Sequence, residues 1–511
     1  MEHLVKKTAV VSGLTLVSRI LGMVRDAVIA MLFGGSVTAD LFFLAFRPFD
    51  LLRKMFANGF LTLSFIPVFT RYLGKEGHGK ALSLISSCLF VICLTGFSVI
   101  VLGIWLAPWL VGMLAPGAVD QSELAAVLLS LMLPYVWTIM GVSLGGAVLQ
   151  CLGNFYLPAL APVVFNCVFI ALAVGAEHWP IPPVVGLALG VSLGGLAQVI
   201  LIFPKLFKEK MLSWRGVSFN HPGMKETARK MLPAMIGSGA FHLNLVVASF
   251  FAGRLDPGSV SCLYYADRLV QFPMGLIAVS LSTVLLPTLA REAIEKKGRA
   301  GRERTFEQGV RLGIFITLPA MAGLMALNVP VVQLLFGRGA FDAAAVALTA
   351  ECLFVLCCGL WAMTGIQLLS TLHFSLSRMK MPFHAGLISM GLNLVFCLLF
   401  MPLWGVQGLA FSVALSSMGG CLYLAWGTSR GSTAASLGKP VLVSACRAVF
   451  LSVIMFFLVR RAAEFFSFDT GLGLAAQVLI CILLGAAFIF GAGWWTARSE
   501  VRLVTTLFNK G

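Results

Sequence analysis

Charge is scarce in this chain. Only 11% of its 511 residues are Asp, Glu, Lys or Arg, and acidic side chains number just 21, beside 7 histidines and 6 tyrosines. A water-facing surface needs far more, so the sequence excludes an ordinary soluble domain. Catalytic signatures are missing as well. There is no GxSxG, no Walker loop, no HExxH and no Asp-rich metal motif of the kind membrane transferases use on pyrophosphate substrates. The expectation is a non-enzyme that needs no cofactor and no metal. The twelve cysteines stand singly in apolar runs, apart from Cys357–Cys358, with neither metal spacing nor a disulfide framework. They read as small buried hydrophobes.

What is present is hydrocarbon. Hydrophobic residues make up 59% of the chain, and the mean hydropathy is +0.95. Apolar runs near 8–33, 38–70, 83–114, 123–150, 157–176 and 183–204 form one series. A second lies near 231–253, 259–290, 307–335, 343–372, 382–402 and 405–427, followed by 441–461 and 471–496. Each is long enough to cross a bilayer, so the fold expected is an all-α polytopic membrane protein of about 14 transmembrane helices. The N-terminus, MEHLVKKTAVV, runs straight into the first segment without a small-residue cleavage site and reads as the first span.

The formal net charge of +16 raises the question of nucleic acid, and its placement answers against it. Lys and Arg gather in alternate loops: Lys6 and Lys7; Arg71, Lys75 and Lys80; Lys205 to Lys230; Arg291 to Arg304; Arg378 and Lys380; Arg430 and Lys439; Arg498, Arg502 and Lys510. The turns at 115–123, 177–183 and 402–406 carry none. That is the positive-inside pattern, with both termini cytoplasmic and the basic loops against anionic headgroups. The long polar connection LFKEKMLSWRGVSF (206–219) reads as an interfacial amphipathic stretch with Trp214 at headgroup level.

The two series resemble each other at a nearly constant offset. LAFR (44–47) matches YADR (265–268), and FIPVFTRYLGKEG (65–77) matches LLPTLAREAIEKKG (285–298). PGAVD (116–120) matches RGAFD (338–342), and Pro158 matches Pro382, all at shifts of 220 to 224. Six spans per half give both halves one orientation, hence two parallel six-helix lobes about a pseudo-two-fold axis along the membrane normal. The expected division is 1–227 for the N-lobe with its linker, 228–435 for the C-lobe, and 436–511 for two appended helices.

The first apolar segment holds two arginines and an aspartate. At 100° per residue, Ser12, Thr15, Ser18, Arg19, Gly22, Arg25 and Asp26 share roughly 140° of arc, opposite Leu14, Leu16, Val17, Ile20, Leu21 and Val24. Ionisable groups at membrane depth usually face a water-filled cavity, although Arg25 could instead snorkel to the interface. The second segment repeats the theme. Asp40, Arg47 and Lys54 recur every seven residues, and Asp50, Arg53 and Asn58 extend the stripe; alternatively Arg53 and Lys54 simply pair with Asp50 near a kink at Pro48. In the second half, Asp267, Arg268 and Gln271 occupy the site equivalent to Phe46, Arg47 and Asp50; Asp267 and Arg268 could also be a structural pair.

Arg19, Arg25, Arg47, Arg53, Lys54 and Arg268 outnumber Asp26, Asp40, Asp50 and Asp267 by two. An arginine-rich excess favours an anionic, phosphate-bearing substrate, because guanidinium forks bind phosphate bidentately and stay charged when partly desolvated. A proton relay would need isolated acids or histidines. His242 and His373 are the candidates, and both read as packing residues, while Asn244 reads as an interhelical hydrogen-bonding residue. GVSLGGA (141–147) and GVSLGGL (190–196) read as close helix packing and not as phosphate cradles.

At these residues the chain resembles a known family. SRILGMVRDAVIAMLFGGSVTADLFFLAFRPFDLLRKMFANG (18–59), FIPVF (65–69) and YYADRLVQFPMGLIAVSLSTVLLPTL (264–289) are similar to the MurJ (MviN) family of lipid II flippases, within the multidrug/oligosaccharidyl-lipid/polysaccharide exporter superfamily. The resemblance implies a two-lobed, V-shaped bundle with a central cationic cavity. That cavity would take the pyrophosphate and sugar of the undecaprenyl-linked peptidoglycan precursor, lipid II, from the cytoplasmic to the outer leaflet of the bacterial inner membrane by alternating access. It implies functional roles for Arg19, Arg25, Asp40, Arg53 and Arg268, with Asp26 and Asp40 gating or holding the arginines, and a lipid-tail groove along 441–496. It also implies a monomer that meets membrane lipids and cell-wall synthesis proteins. Where the family often has Glu, this chain has Asn58 and Gln271, and a common lysine appears as Gln367. The alternatives are a flippase for another polyprenyl-pyrophosphate-linked oligosaccharide, or an ion-coupled small-molecule exporter, which for organic cations predicts an acidic cavity.

Overall fold

A computed structural model describes residues 2–57, 60–114, 122–213, 216–294, 298–376, 378–430, 438–466, 468, 471–496 and 500. Asn58, Trp214 and the side chain of His242 lie outside what is described. The described chain is helical throughout, as the hydropathy pattern leads one to expect, and divides into two compact units.

The first unit takes in residues 1–239 and 256–260. It contains α1 (Glu2–Phe33), α2 (Val37–Ala57), α3 (Phe60–Arg71), α4 (His78–Leu114), α5 (Ser122–Met132), α6 (Pro134–Cys151), α7 (Tyr156–Gly175), α8 (Pro183–Lys208) and the opening turns of α9 (Pro222–Ala252). A π-helical turn at Tyr72–Glu76 links α3 to α4. The glycine-rich pieces are packing surfaces. Gly186, Gly190 and Gly194 recur every fourth residue on α8, where α7 lies close enough that a methyl at Gly190 would meet the Phe169 ring at 3.3 Å. A methyl at Gly194 would come within 2.9 Å of Phe165, and one at Gly195 within 2.3 Å of the Thr138 hydroxyl. Small residues let helix backbones approach, which supplies dispersion contact where lipid removes the hydrophobic drive.

The second unit takes in 240–255 and 261–511. After α10 (Ser259–Met274), a π-helical turn at Gly275–Val279 leads into α11 (Ser280–Ile294). There follow α12 (Gly298–Ala326), α13 (Asn328–Phe336), α14 (Ala343–Cys357), α15 (Leu360–Ser375), α16 (Lys380–Arg430), α17 (Lys439–Phe465) and α18 (Gly471–Thr496). The 51 residues of α16 are not one rod, because Trp404 and Gly405 leave helical geometry and Gly405 has φ 53°. The break falls between the segments expected at 382–402 and 405–427. The helix α17 lies on α12 through Leu451, Met455 and Val459 against Leu312, Phe315 and Ala322, and α18 covers α17 at Gly485. Leu442, Phe450, Phe457, Leu472, Leu483 and Trp495 point outward and suit lipid.

Nine helices among the described residues are long and apolar enough to cross a membrane, and ten if α14 and α15, bent by 45°, form one broken span. Counting α16 as two, the rest of the expected spans fall on α1, α2 with α3, and α9. The first two carry the ionisable residues that set them apart from an ordinary lipid-facing helix.

Candidate functional site

In the first unit the charged residues of α1 and α2 segregate into three settings. Arg25 and Asp26 are sealed in protein, only 2% and 0% exposed. Arg25 grips one carboxylate oxygen of Asp26 with Nε at 3.0 Å and Nη2 at 2.7 Å. Its Nη1 donates to Asn166 Oδ1 at 3.4 Å, and Asn166 Nδ2 donates in turn to the Ser18 carbonyl at 3.1 Å. The guanidinium also sits over the rings of Phe169 and Phe46, at 5.3 and 6.0 Å. Thus Arg25 does not snorkel. It is a buried ion pair whose remaining donors are met by an amide and two π faces, which is the condition for keeping a charge away from water.

Asn166 lies inside the apolar run of α7 and was not among the residues singled out from the sequence. The available signal was a lone amide in YLPALAPVVFNCVFIALAV. Gly22, on the same face as Arg25, faces Asn166 with room to spare: a methyl there would lie in ordinary contact, 3.9 Å from Asn166 Nδ2.

The second setting is the Asp50 cluster. Its carboxylate accepts from Arg53 Nη2 and lies 3.0 Å from Lys54 Nζ, so both cations of the last two turns of α2 are held by one acid. This is the local pairing that the sequence left open. It nonetheless leaves Arg53 and Lys54 26% and 19% exposed at the side chain, while Arg47 is buried on the same helix. One carboxylate cannot neutralise two cations, so the cluster stays net positive.

Third, Arg19 is exposed and meets no acid among the described residues. With Thr15, Ser18, Gln150, Phe155 and Pro158 it lines a cavity of about 280 Å³. Asp40 stands apart from the other charges, at the start of α2. Its Oδ2 accepts from the Gly258 backbone N–H at 2.7 Å, tying the 256–260 turn to α2 within the same unit. Only glycine fits at 258: φ is 91°, and a methyl would lie 2.6 Å from the Gly35 carbonyl.

In the second unit Asp267 is buried and accepts from Gln271 Nε2 one turn on, and the Arg268 guanidinium lies 5.9 Å from the Tyr264 ring. Where a glutamate would add a second negative charge, Gln271 donates a hydrogen bond to the first. Asn244 joins helices as expected: its Nδ2 donates to Ser389 at 2.8 Å, and its main-chain carbonyl accepts from Asn393 Nδ2 at 2.8 Å. His373 is buried against Thr428, with Nε2 at 3.1 Å, as a packing residue should be. Among the described residues no group of three His, Cys, Asp or Glu could hold a metal.

A family model described as "Lipid II flippase MurJ" matches residues 29–491. A curated "Probable lipid II flippase MurJ" of Vibrio cholerae is 35% identical over 429 residues, 81% of each chain. A "Lipid II flippase MurJ" of Burkholderia cenocepacia is 33% identical over 431 residues, 82% of each. Among solved structures, a lipid II flippase MurJ in an inward closed conformation superposes with a TM-score of 0.79 at 24% identity, over 94% of this chain and 97% of that one. An inward-facing transporter of the multidrug resistance MATE family gives 0.67 at 16% identity, over 83% and 97%.

Proposed function

Because the chain belongs to the MurJ family of lipid II flippases, we propose that it moves lipid II from the cytoplasmic to the outer leaflet of a bacterial inner membrane, both termini facing the cytoplasm. The observation that carries this reading is the sign of the charge on α1 and α2. Arg19, Arg25, Arg47, Arg53 and Lys54 exceed Asp26, Asp40 and Asp50 by two in helices that are otherwise apolar. A pyrophosphate presents several anionic oxygens, and arginine forks are the donors that match them.

The roles divide by exposure. Arg19, Arg53 and Lys54 are wholly or partly exposed and supply the first contacts for the pyrophosphate; Arg268, of the second unit, is a further candidate cation for it. Arg47 adds positive charge from within the protein; Arg25, neutralised by Asp26, becomes a direct ligand only if Asp26 and Asn166 release it. Asp50 and Asp26 hold the cations in place, Asp267 does so for the second lobe, and Asp40 fastens the turn that has to open on the outer side. The lobes are 1–227 and 228–435, and the helices of 436–511 border the polyprenyl tail. No bond is made or broken. The membrane potential acting on these charges is the proposed driver, one charge being worth about 2.3 kcal/mol per 100 mV.

The test is depletion of the protein from growing cells, with the leaflet distribution of lipid II followed by an externally added probe. The outer-leaflet pool should collapse while total lipid II rises. Undiminished outward movement would overturn the assignment.

A further inference from the structure

One carboxylate inside a candidate span has no place in the charged system of α1 and α2. Glu351 lies eight residues into α14, about 12 Å from the helix start at 1.5 Å per residue. It is exposed, and no cation pairs with it among the described residues. Its neighbours Trp404 and Gln407 flank the break in α16, which places it toward the end of the span and not at mid-membrane. Glu351 lines a cavity of about 430 Å³ in the second unit, together with Asn328, Phe354, Val355, Trp404 and Gln407.

The polar atoms around that cavity are sorted by type. Gln407 Nε2 donates to a Glu351 carboxylate oxygen, and Asn328 Nδ2 donates to the Ala350 carbonyl at 3.1 Å. One N–H of each amide is committed in this way, and the acceptors that remain are the carboxylate, Gln407 Oε1 and Asn328 Oδ1, with one further N–H on each amide. Three acceptors, one of them charged, complement the three N–H donors of a primary ammonium. Trp404 and Phe354 supply aromatic walls, which attract a cation through their faces. The Trp404 ring is held by stacking on Phe400 at 5.3 Å and by the edge of Phe411 at 5.8 Å. Its position follows from the break at Gly405, which ends one half of α16 and starts the next. The cavity is far larger than a bare ion needs, and over half of the Trp404 surface is open.

We propose that this cavity binds the primary ammonium headgroup of an aminophospholipid, with Glu351 as counter-ion and Gln407 and Asn328 as hydrogen-bond acceptors. The occupant is a lipid because the site lies within a candidate span, opens outward and is flanked by Trp404, a side chain suited to headgroup depth. The site is independent of the cationic residues of the first unit, and its ligand has the opposite charge.

The full-length protein in mild detergent is titrated with phosphatidylethanolamine, phosphatidylglycerol or phosphatidylcholine of matched chains, and retained adducts are counted by native mass spectrometry. Phosphatidylethanolamine should be retained roughly tenfold better than phosphatidylglycerol, the scale of one charge-assisted hydrogen-bonded contact. Phosphatidylcholine, whose quaternary nitrogen has no N–H, keeps the ion pair and the aromatic contacts but loses the hydrogen bonds, and should be retained less well than phosphatidylethanolamine. Glu351→Gln should abolish the preference, and Asn328→Leu should weaken it. Equal retention of the three lipids by the wild-type protein overturns the proposal without recourse to any variant. So does an undiminished preference in a folded Glu351→Gln protein. Displacement of the lipid by millimolar soluble phosphoethanolamine would overturn the lipid source and assign the site to a water-borne amine.

Discussion

Arg19 and Arg25 differ by six residues and share one helix face, yet they have opposite fates. Arg25 spends its donors on Asp26 and Asn166, whereas Arg19 meets no acid among the described residues. Arg19→Ala should therefore leave the amount and thermal stability of folded protein unchanged while removing function, read as loss of complementation in a depleted strain. Asp26→Ala strands a buried guanidinium and should cost about 3 kcal/mol of stability. Thermal unfolding in detergent would show it, and an unchanged midpoint would mean that water reaches Arg25. Helical periodicity was enough to place both arginines on a polar face. It could not distinguish them, because the distinction comes from Asn166, 141 residues away on α7.

At the scale of the element, the connection between α8 and α9 is more than a membrane-lying linker. Its described residues rest on α4: Ser83 donates to the Gly216 carbonyl, Ser87 accepts from Ser218 N–H at 3.0 Å, and Phe219 meets Phe90 edge-on at 4.9 Å. Glu226 joins Arg71 to Lys230, and these two hydrogen bonds hold its carboxyl down at about 2. His221 packs on Tyr72, accepts from Gly223 N–H at Nδ1, and is shifted below its usual 6.5 by burial. Glu226 contributes stability above the ordinary carboxylate value of 4.5, and the contribution is lost only as pH falls toward 2. The His221 contribution is lost earlier, as pH drops below about 6.5, since the undocked segment takes up the proton first. Amide-exchange protection of 216–224 should thus decline on acidification from neutral to about pH 5, and His221→Gln should flatten the profile. A wild-type profile already flat over that range would rule out His221 as the sensor.

The α8 ridge makes a second element-scale prediction. Gly194→Leu has no room against Phe165 and should destabilise by about 1–3 kcal/mol, seen as a lower unfolding temperature, while Gly175→Ala, with open space around it, should not. The glycine spacing in GVSLGGL was legible as close packing; the partner ridge, Phe165 and Phe169, was not, since any apolar helix could have faced it.

For the whole molecule, the cationic excess and the absence of catalytic motifs lead to one joint expectation. Lipid II recovered after transport should carry an intact pyrophosphate, with no phosphate released, as a phosphorus assay on reconstituted vesicles would report. Release in step with translocation would point instead to a membrane transferase or hydrolase. Much at this scale was readable in one dimension. The spans followed from the length of apolar runs. Glu351 was passed over although the signal was the one used for Arg19, an ionisable residue in an apolar run. It has no second charge beside it in sequence, and its partners Asn328 and Gln407 come from other helices.

By itself the sequence determined that this is a helical membrane protein, where its spans lie, and that the charge buried with them is mainly positive. Those properties are sums over neighbouring residues: lipid solvates each segment according to its own side chains, and helices satisfy their backbones locally. Only the tertiary structure decided that Asp26 seals Arg25 away while Asp50 holds Arg53 and Lys54 partly exposed, that Asp40 closes on a backbone N–H at Gly258, and that Glu351 meets Gln407. Those outcomes depend on distances of a few ångströms between segments far apart in the chain, which packing alone sets.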